Sequence, residues 1–366
     1  MNLTAYRTLG RSGLAVSPMA LGAATFGQAG WGAGEVESRA IFDRYVDAGG
    51  NFIDTANWYA DGNSETLLGQ FMRESGSRDR IVLSTKVGGP AGDYPNGSGL
   101  GAKHIWTEVE TSLRRLRTDY VDLYWLHIWD CVTPMEEVLQ TMSALVRAGK
   151  IRYWGLSNTP AWIVAQLATL AAARGEPRPI GLQYEYSLIE RSVEADLIPL
   201  AFEAGMGMVA WSPLGSGFLT GKYKPGGGPD GFRPVAGAGD GRLSGENPVT
   251  NVSFSERNWM IADILRAVAK EIGTGAAQTA LAWLVRRPGV TAPILGVRDA
   301  GQLVAAFEAL RLPLDPAIID RLDEATSPLL TYPATLYRPR ATPPPAESRE
   351  TIRAWQEQWR RDAGPE

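Results

Sequence analysis

The chain has 366 residues, of which 44% are hydrophobic and 21% are charged, as in an ordinary globular protein. Its formal net charge of −4 disfavours a nucleic-acid-binding protein, because such proteins normally carry a basic excess. The single cysteine, Cys131, excludes an internal disulfide, and a chain with two histidines, His104 and His127, is poorly equipped for a catalytic zinc site.

Residues 1–7 contain no basic region that leads into an apolar run, so we expect no signal peptide. No apolar stretch approaches the roughly 20 residues that a helix needs to cross a bilayer. We therefore expect a cytoplasmic protein without a nucleic-acid or membrane partner. The sequence leaves homo-oligomerisation open.

The first predicted element is a β-hairpin, in which Arg7–Leu9 and Ala15–Pro18 flank the turn Gly10–Gly13. After it, short apolar runs alternate with segments of helical periodicity. The runs are rich in valine, isoleucine and aromatic residues, as buried parallel strands are. The eight predicted strands are Leu21–Phe26, Asn51–Asp54, Ile81–Lys86, Tyr120–His127, Ile151–Ser157, Ile180–Tyr184, Met206–Trp211 and Val290–Leu295.

Helices are predicted between these strands from apolar spacing, from glycines that follow their ends and from prolines at their starts. They are Glu37–Ala48, Glu65–Arg73, Thr107–Leu116, Met135–Ala148, Ala161–Arg174, Asn258–Glu271, Ala276–Arg287 and Gly301–Ala309. This alternation predicts an α/β fold closed as a (β/α)8 TIM barrel, with the N-terminal hairpin plugging its bottom. A doubly wound open sheet is the competing topology.

Two segments lie outside the repeat. Residues 224–251 are rich in glycine and proline, which predicts a long, mobile loop after the seventh strand. We assign residues 1–327 to the barrel and residues 328–366 to a Pro-rich C-terminal extension with a charged helical stretch, Glu347–Arg361. The sequence does not decide whether this extension docks on the barrel or is partly disordered.

Polar residues end the predicted strands one after another, and a barrel enzyme places its chemistry at those carboxyl ends. They are Asp54 with nearby Tyr59, Lys86, His127, Ser157-Asn158, Gln183, Trp211-Ser212, Gly296 and Arg298. Each also has a structural interpretation. Asp54 and Lys86 could form a structural ion pair, and His127 could be a core histidine. Ser157-Asn158 could cap the following helix, which is compatible with a functional role.

Asp54, Lys86, Tyr59 and His127 together form a coherent proton-donating set. A free tyrosine has a pKa of about 10 and holds its proton too tightly for efficient acid catalysis at neutral pH. A neighbouring lysine ammonium stabilises the phenolate, an aspartate keeps that lysine charged, and a histidine can orient a substrate carbonyl. Since no side chain supplies electrons, hydride must come from a cofactor.

Gly97–Ala102 formally matches G-x-G-x-x-A but follows Pro95-Asn96 rather than a strand, so we interpret it as a loop. Five other stretches resemble the aldo-keto reductases, and the similarity around them is spread over residues ~5 to ~325, nearly the whole predicted barrel. These stretches are Asn51–Tyr59, Leu83–Lys86, Asp119–His127, Gly155–Asn158 and Trp211–Tyr223.

The resemblance implies NADPH-dependent reduction of a carbonyl compound, with Tyr59 as the general acid, Lys86 and Asp54 as its tuning pair, and His127 orienting the carbonyl. It implies that Trp211 stacks on the nicotinamide, whose carboxamide meets Ser157, Asn158 and Gln183. The cofactor contacts it implies are Gly22, Asp54, Ser157, Asn158, Gln183, Trp211, Ser212, Pro213, Leu214, Gly215, Ser216, Gly217, Lys222, Gly296, Arg298 and Gln302. We expect aromatic walls around the substrate from Phe26, Trp31, Trp58 and Trp129.

Four positions depart from the family pattern. Ala305-Ala306 stands where many members carry a Glu-Asn pair for adenine, Trp211 where tyrosine or phenylalanine is usual, and Leu182 where asparagine often precedes the glutamine. Besides a reductase of an aldehyde or ketone, sugar-derived or from secondary metabolism, two functions stay open. One is a binding protein that senses nicotinamide redox state, as the potassium-channel β subunits of this superfamily do. The other is a lyase or hydrolase with Lys86 as nucleophile.

Overall fold

The structure, a computed structural model, describes residues 1–227, 231, 233–236, 243, 254–328, 332 and 334–337. Within these ranges the strands are β1 (Arg7–Thr8), β2 (Ala15–Val16), β3 (Ala20–Gly22), β4 (Phe52–Asp54), β5 (Val82–Val87), β6 (Val121–Leu126), β7 (Ile151–Ser157), β8 (Gly181–Glu185), β9 (Gly207–Trp211), β10 (Tyr223–Gly227), β11 (Arg233–Ala236) and β12 (Val290–Gly296).

The α-helices are α1 (Glu35–Asp47), α2 (Asn63–Ser75), α3 (Ala102–Leu116), α4 (Met135–Arg147), α5 (Ala161–Arg174), α6 (Leu197–Ala204), α7 (Glu256–Glu271), α8 (Ala276–Leu284), α9 (Ala300–Arg311), α10 (Pro316–Ala325) and α11 (Ala334–Tyr337). Short 3₁₀ turns cover Tyr59–Gly62, Arg78–Arg80, Ser192–Glu194 and Phe218–Thr220. Among the described helices, none is both long and apolar enough to span a membrane.

Eight parallel strands close into a barrel in the order β12-β3-β4-β5-β6-β7-β8-β9, which confirms the predicted (β/α)8 fold and excludes the open sheet. The register sets the carboxyl ends of neighbouring strands side by side. Gly22 pairs with Gly296 on one side and with Asp54 on the other, and Ser157 pairs with Gln183. Residues far apart in the chain thus meet at one mouth of the barrel.

The predicted N-terminal hairpin is present as β1 and β2. Its Leu9 and Val16 are fully buried in a cluster inside the barrel that includes Trp125. Glycines on β8 and β9 make this packing possible, because a side chain at Gly181 would crowd Trp125 and one at Gly207 would overlap Leu9. The hairpin therefore plugs the barrel bottom, as the sequence predicts.

A second, larger cluster lies between the barrel and the surrounding helices. The structure reproduces the predicted strand β7 and helix α5 to the residue. Helix α3 begins five residues before its predicted start, because the Glu137 carboxylate accepts a hydrogen bond from the Ala102 N–H at 2.9 Å. Helix α6 was not predicted from the sequence, because it has only eight residues and no side-chain cap.

The predicted loop 224–251 and the C-terminal extension fall largely outside the described residues, as does all of Glu347–Arg361. Within the loop, β10 and β11 form an antiparallel pair that the sequence did not predict. In the extension, the described residues include the single helical turn of α11.

Candidate active site

An ion pair lies buried at the carboxyl ends of β4 and β5. The Lys86 ammonium bonds the Asp54 carboxylate and donates to the Thr55 carbonyl at 2.7 Å. Ser84 and Gln183 also donate to Asp54, at 2.7 and 2.9 Å. Burial opposes the charge on Lys86, but Asp54 and Tyr59 outweigh it and raise the pKa of this lysine. Lys86 is therefore held as a cation inside the protein.

Tyr59 lies in the loop between β4 and α2, with its hydroxyl 3.3 Å from Lys86 Nζ. The loop is tightly bent: Ala60 and Asp61 have φ values of 49° and 53°, a region that L-residues rarely adopt. Such strain persists only where the surroundings enforce it, and it is concentrated at functional sites. The bend brings a phenol hydroxyl beside a buried ammonium.

His127 follows β6, and its ring meets the Tyr59 ring edge to face, with centroids 5.9 Å apart. Backbone bonds hold it: its N–H donates to the Val87 carbonyl at 2.8 Å, and its carbonyl accepts from Asn158 Nδ2 at 2.9 Å. Burial and the charge of Lys86 lower the pKa of His127 well below the usual range. The imidazole is therefore neutral at physiological pH.

A cavity of about 1140 Å³ opens above these groups at the carboxyl ends of the strands. It exceeds the roughly 300–1,000 Å³ of most small-molecule sites. Its described lining contains Asp54, Tyr59 and His127 together with most of the predicted cofactor and substrate residues: Gly22, Trp31, Trp58, Ser157, Asn158, Gln183, Trp211, Ser212, Pro213, Leu214, Ser216, Gly217, Lys222, Gly296, Arg298 and Gln302. Lys86 is fully buried behind Tyr59.

The part of the cavity near Tyr59 presents hydrogen-bonding groups and an indole. Asn158 Nδ2 donates to Ser157 Oγ at 3.0 Å and Gln183 Nε2 is bound to Asp54, which orients both amides. Trp211 lines the cavity, and its Nε1 is buried without a hydrogen-bond partner among the described groups. Amides, a hydroxyl and an aromatic face suit a nicotinamide ring and its carboxamide.

The other end of the cavity fits the remainder of a dinucleotide. Ser212, Ser216 and Gly217 have positive φ values, in a turn after β9 of the kind that can aim backbone N–H groups at an anion, with Lys222 nearby. A side chain at Gly296 would meet nothing within 4 Å, so open space lies beside the end of β12. The residues present therefore fit the cofactor that the resemblance implies.

At this end Asp299 caps α9, with its carboxylate accepting from the Gln302 N–H at 2.7 Å. The amide of Gln302 accepts in turn from the Arg298 N–H at 3.1 Å. Ala305 and Ala306 line the cavity and carry no polar side chain. Arg298 lines the cavity at this end, whereas the Asp299 carboxylate is engaged in the helix cap.

Three sequence expectations need correction. Phe26 is fully buried and packs on Phe71, so it cannot form a wall of the substrate site. Trp129 is not among the described lining residues, and its indole instead meets Trp162 edge to face at 5.6 Å. Gly215 also lies behind the lining, where a side chain would crowd Ile189. In each case packing against a helix or loop directs the residue away from the cavity. The pattern of strands in the sequence does not reveal that packing.

Sequence reasoning also missed several groups of the site. Ser84 and the Thr55 carbonyl complete the shell of the ion pair. Ser84 precedes Lys86 by two residues, so strand alternation could have placed both on the inner face of β5. The lining residues that the sequence analysis did not select include Ala24, Thr25, Gln28, Ala60, Gly89, Ile128, Thr220, Ala277, Gln278 and Leu281.

Comparison with known proteins agrees with this geometry. A profile described as the aldo/keto reductase family matches residues 18–327. A probable voltage-gated potassium channel subunit beta of Oryza sativa is 38% identical over 331 residues, covering 87% of this chain and 95% of the relative. The aryl-alcohol dehydrogenase [NADP(+)] of Phanerodontia chrysosporium is 33% identical over 347 residues, covering 89% and 86%.

A third relative, the norsolorinic acid reductase of Aspergillus flavus, is 34% identical over 326 residues, which cover 86% of this chain and 79% of the relative. These similarities extend over nearly all of the barrel rather than over one motif. Together with the closed barrel and the cluster of Asp54, Tyr59, Lys86 and His127 at its mouth, they show that the chain belongs to the aldo/keto reductase family.

Proposed function

We propose that this protein is a cytoplasmic, NADPH-dependent reductase that converts an uncharged aryl aldehyde or ketone into an alcohol. The observation that carries the proposal is the placement of the Tyr59 hydroxyl 3.3 Å from the buried Lys86 ammonium, in a cavity shared with His127. NADPH, when bound, supplies the hydride that the carbonyl carbon accepts. Ser157, Asn158, Gln183 and Trp211 would hold its nicotinamide.

Residues of the chain itself supply the proton that the carbonyl oxygen accepts. Tyr59 donates its hydroxyl proton to the carbonyl oxygen as that oxygen gains negative charge, and the resulting phenolate regains a proton from solvent. Lys86 stabilises the phenolate, and Asp54 keeps Lys86 charged and in place. His127, neutral at physiological pH, donates a hydrogen bond that orients the carbonyl oxygen.

The substrate class follows from the described residues that line the cavity in the loops after β3, β4, β5 and β6. Apart from Tyr59 and the neutral His127, they present two indoles and otherwise small or neutral side chains, and none is charged: Ala24, Thr25, Gln28, Trp31, Trp58, Ala60, Gly89 and Ile128. Aromatic walls favour flat rings, and a neutral lining disfavours phosphorylated or carboxylated sugars. The similarity to an aryl-alcohol dehydrogenase supports the same class.

The test is an NADPH-oxidation screen over aryl aldehydes, ring ketones, aliphatic aldehydes and keto-sugars, run in parallel with Tyr59→Phe. We expect the fastest turnover with aryl carbonyls and a loss of about 10²–10⁴-fold in the variant, since general acid catalysis has that magnitude. NADPH affinity, measured by fluorescence titration, should stay the same. Equal rates in the two proteins would contradict the role of Tyr59.

The similarity to channel β subunits favours a second candidate, a nicotinamide-binding regulatory protein. The same screen separates the two functions. A regulatory protein would bind NADPH but turn over none of the carbonyl classes above the Tyr59→Phe background, whereas a reductase turns over at least one of them.

A further inference from the structure

Trp58, the residue before the proposed proton donor, makes a directed contact with His127. Its indole Nε1–H donates to His127 Nδ1 at 3.0 Å, and the two rings meet edge to face with centroids 5.3 Å apart. Trp58 is 46% exposed and lines the cavity, so it also forms part of the substrate wall. A leucine or phenylalanine could form that wall, but neither could donate this hydrogen bond.

The hydrogen bond from Trp58 determines which ring nitrogen of His127 carries the proton. A neutral imidazole carries one proton, and the partner of one ring nitrogen decides which nitrogen bears it. Because Nδ1 accepts from Trp58, the proton must lie on Nε2. Burial and Lys86 keep the ring neutral, so the Nε2–H is its one N–H donor. A substrate carbonyl oxygen requires such a donor.

The indole is itself held by the loops around it. The first support is Gly89, after β5, because a side chain there would lie 3.1 Å from Trp58 Cδ2 and crowd the indole. The second is the backbone of the preceding residue, since the Asn57 N–H donates to the Lys86 carbonyl at 3.3 Å and the Asn57 carbonyl accepts from Arg115 at 2.8 Å. Trp58 is thus placed by β5 and α3, which also hold the loop that carries the proton donor.

We propose that Trp58 is a positioning residue that fixes the tautomer and the ring plane of His127, so that Nε2–H faces the carbonyl oxygen of the substrate. The contribution of Trp58 to the rate rests on the proposed reductase function. Its effect on the imidazole does not, because the hydrogen bond is present in the protein without substrate. The two statements can therefore be tested separately.

The first test reads the imidazole directly. The chain has two histidines, so a protein labelled with ¹⁵N-histidine has few ring signals, and His127→Gln assigns them. We expect wild-type His127 to show a protonated Nε2 and an unprotonated Nδ1. In Trp58→Phe the two signals should move toward the average of both tautomers, and the pKa of His127 should rise because a bond to the neutral form is lost.

Trp31→Phe is the matched control, because it removes an indole from the same cavity and should leave the His127 signals unchanged. A proton on Nδ1 in the wild-type protein would overturn the proposal. So would a Trp58→Phe spectrum and titration identical to those of the wild type. These outcomes are independent of turnover, so they remain decisive even if the screen finds no substrate.

The second test is kinetic. We expect kcat of Trp58→Phe to fall about tenfold, as for the loss of one hydrogen bond in the transition state, with a smaller change in KM because phenylalanine preserves the apolar wall. Gly89→Ala, which crowds the indole, should change the His127 signals and kcat in the same direction but less. A change confined to KM would show that Trp58 is only a wall and would overturn its positioning role.

Discussion

Lys86 supplies a cation to the site and also neutralises a buried carboxylate. Removing it in Lys86→Met leaves the Tyr59 phenolate without a neighbouring positive charge and Asp54 without its partner. We expect kcat to fall more than cofactor affinity and stability to fall by about 3–5 kcal/mol, the usual cost of breaking a buried pair. Steady-state kinetics and denaturant unfolding measure the two effects.

The matched control is the double variant Asp54→Asn, Lys86→Met, which removes both charges. It should regain part of the lost stability but none of the activity, because Tyr59 still lacks the cation. Asp54 and Tyr59 raise the pKa of Lys86 above its ordinary value, so the stabilisation that the charged lysine contributes is present at neutral pH and is lost as pH rises through that raised pKa. Full activity in Lys86→Met would show that the pair is merely structural.

Arg298 is the residue that we expect to select NADPH over NADH. It lines the cavity at the end of β12, while neighbouring Asp299 is engaged in capping α9. A guanidinium can bind a 2′-phosphate through a two-pronged, charge-assisted contact, and a hydrogen bond to a charged group contributes roughly 1.5–3 kcal/mol. Arg298→Ala should therefore weaken NADPH binding by about ten- to a hundredfold and leave NADH binding nearly unchanged.

Titration of both cofactors against wild type, Arg298→Ala and Arg298→Lys measures this selectivity. The lysine variant keeps the charge but not the paired geometry, so its affinity for NADPH should lie between the other two. A proportional loss for both cofactors would mean that Arg298 has a structural role. A wild-type preference for NADH would contradict the cofactor assignment.

At the scale of secondary-structure elements, helix α3 anchors the loop that carries Tyr59. Arg115 donates to the Asn57 carbonyl at 2.8 Å and to Glu65 at 3.2 Å, and its guanidinium packs where a side chain at Gly62 would lie. Glu108 accepts from Asn57 Nδ2 at 2.7 Å. Both ends of the strained turn are thus attached to one helix.

We expect Arg115→Met to release this loop and leave Glu65 without its cation. Burial raises the pKa of Glu65, and the bonds from Thr85 and Arg115 oppose that rise. Because Arg115 is 31% exposed, the loss of stability should be modest, roughly 1–3 kcal/mol, with a several-fold fall in kcat. Thermal unfolding and steady-state kinetics measure both.

Arg114→Met is the control for this prediction, since Arg114 lies on the same helix but is exposed, and its side chain bonds only Thr111 among the described residues. Its effect should stay within about 0.5 kcal/mol. Equal effects of the two substitutions would show that α3 contributes general stability and does not anchor the loop.

At the scale of the whole molecule, the N-terminal hairpin closes the barrel on the side opposite the site. Leu9 is fully buried against Trp125 and the glycines of β8 and β9. Leu9→Ala should open a cavity there and lower the free energy of unfolding by about 2–5 kcal/mol. The KM values should not change, because the site lies at the other end.

Denaturant unfolding measures this loss of stability. Val36→Ala is the control, because Val36 is a highly exposed apolar residue and its truncation leaves no buried cavity. The control should change stability by less than about 0.5 kcal/mol. A Leu9→Ala protein as stable as the wild type would show that the hairpin is dispensable as a plug.

The amino-acid sequence by itself determined the barrel and the meeting of Asp54, Lys86 and His127 at its mouth. Eight apolar runs alternate with helices, and parallel strands in a closed barrel present their carboxyl ends on one side, so polar residues at those ends converge. The sequence also places Tyr59 at this mouth, because only a few residues separate it from Asp54. Helix boundaries were less predictable where a distant side chain, such as Glu137 at the start of α3, supplies the cap.

The tertiary structure alone decided how these groups are held. Trp58 donates to His127 from a position 69 residues away, and Arg115 reaches Asn57 across 58 residues. Phe26 points into the helix layer, although the sequence places it near the mouth. Such contacts depend on loop conformation and on side-chain direction, which hydrophobic periodicity does not encode, because periodicity reports only which face of a strand or helix is buried.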